Sequence, residues 1–242
     1  MNQPLKTILV LLLALPQFSH AQNSLFNLGL EGGFNRSQFL ASETSSSSNL
    51  PSKSYSGNIS PSIGVNFQVN TRRFFSFKTG VSFDRKAYTT REEIISSIES
   101  SQRRHVNTFD YVSIPLLGKL TFGKKVQLFM NAGVYFAILA NQNIWTEGSS
   151  IVISQGQNHY NEFSSSQSTI NRYKRCDFGL IGGIGIGVPI KKHWYISLEA
   201  REVLGVMKIY DPRKTKTTPP PTKQASFQML LGVSYKLGFR EK

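Results

Sequence analysis

Apolar and polar residues alternate one for one along most of this chain. In the last such run, Phe227, Met229, Leu231, Val233, Tyr235, Leu237 and Phe239 share one face, and Ser226, Gln228, Leu230, Gly232, Ser234, Lys236 and Gly238 share the other. A period of two marks a strand with one face in an apolar medium. Ile59, Ile63, Val65, Phe67 and Val69 oppose Ser60, Ser62, Gly64, Asn66 and Gln68 in the same way. So do Phe178, Leu180, Ile184, Ile186 and Val188 against Asp177, Gly179, Gly183, Gly185 and Gly187. The pattern predicts eight strands, over 25–35, 58–70, 74–88, 108–122, 126–140, 174–190, 194–209 and 224–239. Most exceed the roughly 9–11 residues with which a tilted strand crosses a bilayer.

The connections alternate in length. Asn70–Arg73, Gly123–Lys125 and Lys191–His193 are tight turns, whereas 36–57, 89–107, 141–173 and 210–223 are long. Short turns at one end and long loops at the other describe a closed, antiparallel, all-β transmembrane barrel with periplasmic turns and extracellular loops. Within the loops, Ile94, Ile95 and Ile98 fall on one helical face of 91–104, which predicts a short external helix. Ile151–Ile153 would extend a strand beyond the membrane. A spanning hairpin inside 141–173 would raise the count to ten strands, but that loop is too polar to face lipid, which leaves eight.

The first residues read as an export leader. A basic start through Lys6, the apolar run Thr7–Pro16 and the small-x-small site Ser19-His20-Ala21 predict removal of residues 1–21 and a barrel domain over 22–242. No later segment is a spanning helix. An exported chain without one belongs to the periplasm, the medium or the outer membrane. The 242 residues carry 28 Lys and Arg against 14 Asp and Glu, and one Cys, which excludes an internal disulfide framework. Cys176 reads as a small apolar filler on the lipid side of a strand's outer end.

Alternation alone also fits a soluble, lipocalin-like barrel with its apolar face inward. Two features favour lipid outside. The polar face is mainly Gly, Ser, Asn and Gln, unlike a solvated exterior. Aromatics gather at strand ends: Phe74, Phe75, Phe122, Trp194, Tyr195 and Phe239 at the short-turn end, and Tyr88, Phe109, Tyr111, Tyr173 and Tyr210 at the long-loop end. They are expected to form two membrane-interface girdles. The final strand, closing in alternating apolars with Phe239 almost last, resembles the C-terminal signal read by the outer-membrane barrel assembly machinery.

The segment 111–140 carries a more specific likeness. Tyr111-x-x-Ile114-Pro115-Leu116-Leu117, a tight turn, and Asn131-Ala132-Gly133-x-Tyr135-Phe136 resemble the outer-membrane β-barrel domain family that includes porin-like and PorT-like proteins. Asp177-x-Gly179-x-x-x-Gly183-x-Gly185, Leu198–Arg201 and Leu231–Tyr235 extend the likeness over the chain from residue 22. The resemblance implies residence in the cell outer membrane. For the PorT-like subgroup it implies a part in assembling a protein-secretion apparatus.

By parity, Glu31, Lys78, Asp84, Lys86, Lys119, Asp177, Glu199 and Arg201 point into the lumen. An eight-stranded barrel is just wide enough for side chains to fill it, and buried charges must pair, so an ion-pair network is expected. Its functional reading is a selectivity filter, and its structural reading a polar plug. Gly179, Gly183, Gly185 and Gly187 leave space on one lumen wall for Phe129 and Tyr135, which favours a closed barrel. Basic residues line both rims and suit lipopolysaccharide phosphates outside and phospholipid head groups inside. They are split between opposite ends with no recognition motif, so nucleic acid is not an expected partner. His105 and His159 lie in long loops and His193 in a turn; no catalytic or metal motif accompanies them, and no cofactor is expected. The expected role is structural, partner-binding in the envelope or accessory to secretion, with a small porin-like channel as the alternative. A lipid-modifying enzyme using His105 or His159 is the third reading.

Overall fold

The structure is a computed structural model that describes residues 24–41, 52–71, 74–95, 99–154, 157–190, 193–209 and 222–239. The leader expected over 1–21, the Pro219–Pro221 tip and Tyr210 lie outside them. Nine strands run β1 Ser24–Ala41, β2 Ser52–Asn70, β3 Phe75–Ile95, β4 Glu99–Phe122, β5 Gln127–Ser154, β6 Gln157–Gln167, β7 Cys176–Pro189, β8 Trp194–Gly205 and β9 Thr222–Phe239. Eight of them close an antiparallel ring in the order β4-β3-β2-β1-β9-β8-β7-β5, with β5 returning to β4. Only such a closed ring satisfies every strand's backbone groups inside hydrocarbon. β1 and β9 pair over their full lengths, from Ser24 opposite Phe239 at the short-turn side to Ala41 opposite Thr222.

The turn Gly123–Val126 shows how the sequence reverses the chain so tightly. Gly123 has φ +101°, a conformation that side chains resist, and a Cβ there would also overlap the Val126 carbonyl oxygen.

Side-chain burial alternates with the sequence pattern, and the charged face is the inner one. Ile59, Ile184 and Leu30 are 71%, 66% and 64% exposed on the outer wall, while Glu31, Lys78, Glu199 and Arg201 are buried within. This is the reverse of a soluble barrel and rules out the lipocalin-like alternative.

At the long-loop end the strands continue far past the expected boundaries. β5 runs on from Asn141 to Ser154, roughly 45 Å along the strand at about 3.3 Å per residue. The reading of Ile151–Ile153 as a strand extension holds. The helix expected over 91–104 does not: β3 continues to Ile95 and β4 begins at Glu99, paired from Arg91 opposite Arg104 to Ile95 opposite Ser100. Three isoleucines spaced for a helix also suit strand ends, and β-pairing on both sides outweighs so weak a helical signal. The loop 141–173 adds β6, which pairs only with β5, from Ile144–Gln167 to Ser154–Gln157. It is an external hairpin arm, so the ring count stays at eight.

A β-bulge sets the junction between barrel and projection. Tyr111 pairs with Leu139 but Asp110 with Asn141, which leaves Ala140 as an extra residue on β5. The extra residue reverses the parity of β5. Leu139 below the bulge and Gln142 above it are therefore both buried.

Candidate functional site

The lumen brings all eight predicted charges inside, four carboxylates and four cations. Four of them form one cluster. Lys78 Nζ donates to Glu31 Oε2 at 2.6 Å and to Glu199 Oε2 at 3.2 Å. Arg201 Nε donates to Glu199 Oε1 at 2.6 Å, and its two Nη atoms reach Glu31 Oε1 at 3.3 Å. Two amides supply further bonds, Asn66 Nδ2 to Glu31 at 3.1 Å and Asn131 Nδ2 to Glu199 at 3.0 Å. Charges taken from water keep their ionised form only when paired and hydrogen-bonded in this way.

The other four charges lie outside that cluster. Asp84 accepts from Ser62, Ser82 and Gln228, at 2.5, 2.9 and 3.2 Å. Asp177 accepts from the Tyr135 hydroxyl at 2.7 Å and lies 3.9 Å from Lys86 Nζ, which also donates to Gln224 Oε1 at 3.2 Å. Lys119 donates to Gln68 Oε1 at 3.3 Å, and its ammonium sits 3.9 Å from the centre of the Phe129 ring. A desolvated ammonium is held there by an aromatic face instead of a carboxylate. The supporting amides and hydroxyls were not singled out from sequence, although the parity that turns Glu31 inward also turns Asn66, Gln68, Asn131, Gln224 and Gln228 inward.

Above the charges, Tyr88, Phe109, Tyr111, Leu139, Tyr173 and Ile209 pack into an apolar layer. Phe109 stacks edge-on against Tyr173 at 4.8 Å and lies 5.3 Å from Tyr88.

This layer corrects part of the girdle assignment. Tyr88, Tyr111 and Tyr195 are 3%, 1% and 6% exposed and point into the lumen, as do Phe109 and Tyr173. The alternation that sends Val112 and Trp194 outward sends Tyr111 and Tyr195 inward; grouping by strand end overlooked this. Phe74 and Trp194 remain on the outer wall, 40% and 47% exposed, and Phe75 and Phe122 are half-buried. Phe239 is placed by its backbone pairing with Ser24, and its side chain lies outside the described residues.

On the outer wall, Arg85 Nε donates to Asp110 Oδ1 at 2.7 Å, and Asn141 Nδ2 reaches Asp110 Oδ2 at 3.3 Å. This polar row marks where the apolar belt ends and the projecting sheet begins. Glu202 breaks the belt elsewhere: it sits exposed on β8 between Gly182 and Phe227, with Leu204 beyond it, and has no ion pair among the described residues. Carboxylates on a lipid-facing wall are destabilising. Glu202→Leu is expected to raise stability by about 1 kcal/mol, read as a higher temperature for the unheated-to-heated shift on SDS gels.

The projecting sheet carries a concavity of about 570 Å³ lined by Arg91, Glu93, Gln102, Arg104, Glu147, Ser149, Tyr160 and Glu162 among others. Arg104 Nη1 donates to Glu147 Oε1 at 2.7 Å, and the Tyr160 hydroxyl donates to Glu162 Oε1 at 2.5 Å. The bond from Arg104 holds the Glu147 carboxyl below its ordinary value of 4.5. The pair therefore contributes above the unfolded-state pKa and is lost as pH falls through the lowered one. Amide exchange at the Arg104–Glu147 rung should quicken in acid below about pH 4, relative to rungs lacking an acid, because carboxylates titrate there. Both side chains are about half exposed, so the effect is local. His105 Nδ1 lies 2.9 Å from Thr146 Oγ1, and His193 stacks on Tyr235 at 5.3 Å. Cys176 is exposed at the start of β7.

Structural comparison finds similar architecture in outer-membrane proteins. Neisserial surface protein A matches with 11% identity, 88% of this chain and 98% of that chain covered, and a TM-score of 0.46. Ail, the attachment invasion locus protein of Yersinia pestis, matches with 14% identity, coverage of 89% and 100%, and a TM-score of 0.36. The N-terminal β-barrel domain of Pseudomonas aeruginosa OprF matches with 10% identity, coverage of 89% and 98%, and a TM-score of 0.37. No curated protein matches the sequence. The family model for the outer membrane protein beta-barrel domain matches residues 19–211. With its ring of eight strands, apolar outer wall and charged lumen, the chain belongs to this outer-membrane β-barrel family and is a protein of the outer membrane.

Proposed function

We propose that this protein is a non-catalytic barrel that holds a partner-binding sheet outside the outer membrane and does not conduct solutes. The filled lumen carries this reading. The eight predicted charges are four of each sign, the four carboxylates accept from cations, amides and hydroxyls, and an aromatic layer covers them. A lumen concavity bounded by Ser82, Asp84, Lys86, Tyr135, Arg201 and Gln228 has a volume of about 10 Å³, about the space of one water molecule. A permeating solute would have to part the Glu31–Lys78–Glu199–Arg201 cluster, which is held by short bonds from several strands at once. The long β3–β6 extensions support the other half of the proposal. They are costly to build for a barrel that merely seals itself, and they present a concave surface of mixed charge well clear of the belt.

Conductance across a planar bilayer tests the proposal. Purified, heat-modifiable barrel should give a flat baseline at all applied voltages. Reproducible unit steps that change ion preference when Glu31 or Arg201 is replaced would establish the porin-like alternative.

A further inference from the structure

The outer wall has a notch near the short-turn end that the proposed function does not use. Ala200 lies on the lipid-facing side of β8, opposite Ile184 on one neighbour and Met229 on the other. Two residues nearer the short turns, Leu128, Ile186 and Leu198 stand in one row across β5, β7 and β8. The small side chain among large ones leaves a concavity of about 540 Å³ with an almost wholly apolar lining, reaching Phe122 beside the β4–β5 turn. Phe122 and Leu128 pair across that turn, so the hairpin that walls the notch also carries the exposed Lys124 and Lys125 at its tip. The short turns at this rim carry charge of one sign. The three short turns contain Arg72, Arg73, Lys124, Lys125, Lys191 and Lys192 and no Asp or Glu.

We infer that this notch and its lysine turn form a binding site for an anionic glycerophospholipid. An acyl chain lies along Ala200 between Ile184 and Met229, and its phosphate meets Lys124 and Lys125. The assignment rests on charge complementarity and depth. A basic turn at the end of an apolar slot matches a lipid with a negative head and an apolar tail, and each basic residue near an anionic head group adds to the attraction. The short-turn end of such a barrel faces the periplasm. The lipid therefore comes from the leaflet on that side, and the site differs from any contact made by the long-loop rim.

Native mass spectrometry of the purified full chain tests the site. The protein is released from mixed micelles containing phosphatidylglycerol and phosphatidylcholine, and each variant is first checked for heat-modifiable migration. The wild-type barrel should retain one phosphatidylglycerol in preference to phosphatidylcholine. K124Q/K125Q should reduce that preference about thirtyfold, since two charges near the head group are removed. Ala200→Trp, which fills the slot from outside, should remove the retained lipid of either kind; Ala200→Leu serves if the larger residue prevents assembly. R72Q/R73Q, in the connection between β2 and β3, should leave the preference unchanged. Equal loss in R72Q/R73Q and K124Q/K125Q would reduce the effect to general rim charge and overturn the site. Retention undiminished by filling the slot would overturn it too.

Discussion

Glu199→Gln should destabilise the barrel by about 3–5 kcal/mol, the usual cost of removing one partner from a buried ion pair. Glu199 is the junction of the lumen network. Lys78, Arg201 and Asn131 all donate to it, at 3.2, 2.6 and 3.0 Å. Its loss leaves two cations to share Glu31, inside a wall that admits little water. The measurement is the temperature, or the urea concentration, at which folded and unfolded species are equal on an SDS gel. The charge-balanced double variant Glu199→Gln/Lys78→Gln should recover part of the loss, because the remaining Arg201–Glu31 pair is again neutral. If the single variant were as stable as the parent, the cluster would be a solvated lining and the closed-lumen reading would fall with it.

The second large effect is expected on the glycine-rich strand. Gly185→Val should cost about 1–3 kcal/mol, the range for overpacking a filled interior. A Cβ at this position would overlap the Phe129 ring and the Leu198 carbonyl oxygen. The ring cannot move freely, because the Lys119 ammonium sits on it at 3.9 Å. The substitution would therefore displace an aromatic ring and weaken the cation–ring contact of a buried ammonium together. Combining Gly185→Val with Phe129→Ala should relieve the overlap with the ring but not that with the Leu198 carbonyl, and it leaves Lys119 without its ring, so the double variant should not regain parental stability. Full recovery would show that the ammonium does not depend on the ring.

The barrel itself was legible because a membrane strand has one rule: the side chain at every second position faces lipid. Phe227 to Leu237 obey it without exception, and the parity of each strand placed Glu31, Lys78, Asp84, Lys86, Lys119, Asp177, Glu199 and Arg201 on the inner face. The partners within the lumen were not legible. Alternation assigns a side but not which strand stands opposite, and Lys78 meets Glu199 from 121 positions away. Tyr111 and Tyr195 were misplaced because nearness to a strand end was weighed above parity. Residues 91–104 were misread because outside the bilayer the two faces of a strand see similar surroundings. The period of two fades there, and three isoleucines suffice to suggest a helix. Ala140 carries no local mark of a bulge; it is extra only with respect to the register that β4 imposes.

The seam between β1 and β9 has a consequence for biogenesis. One of the first strand's two partners is the last of the described strands to be made, from Thr222 to Phe239. Until that segment arrives, the chain has no closed form, and both Ser24–Ala41 and Trp194–Gly205, the two strands it joins, carry rows of unsatisfied N–H and C=O groups. A nascent or truncated chain is thus a sheet with two adhesive borders. A cylinder can exist only once every strand from Ser24 to Phe239 is in place.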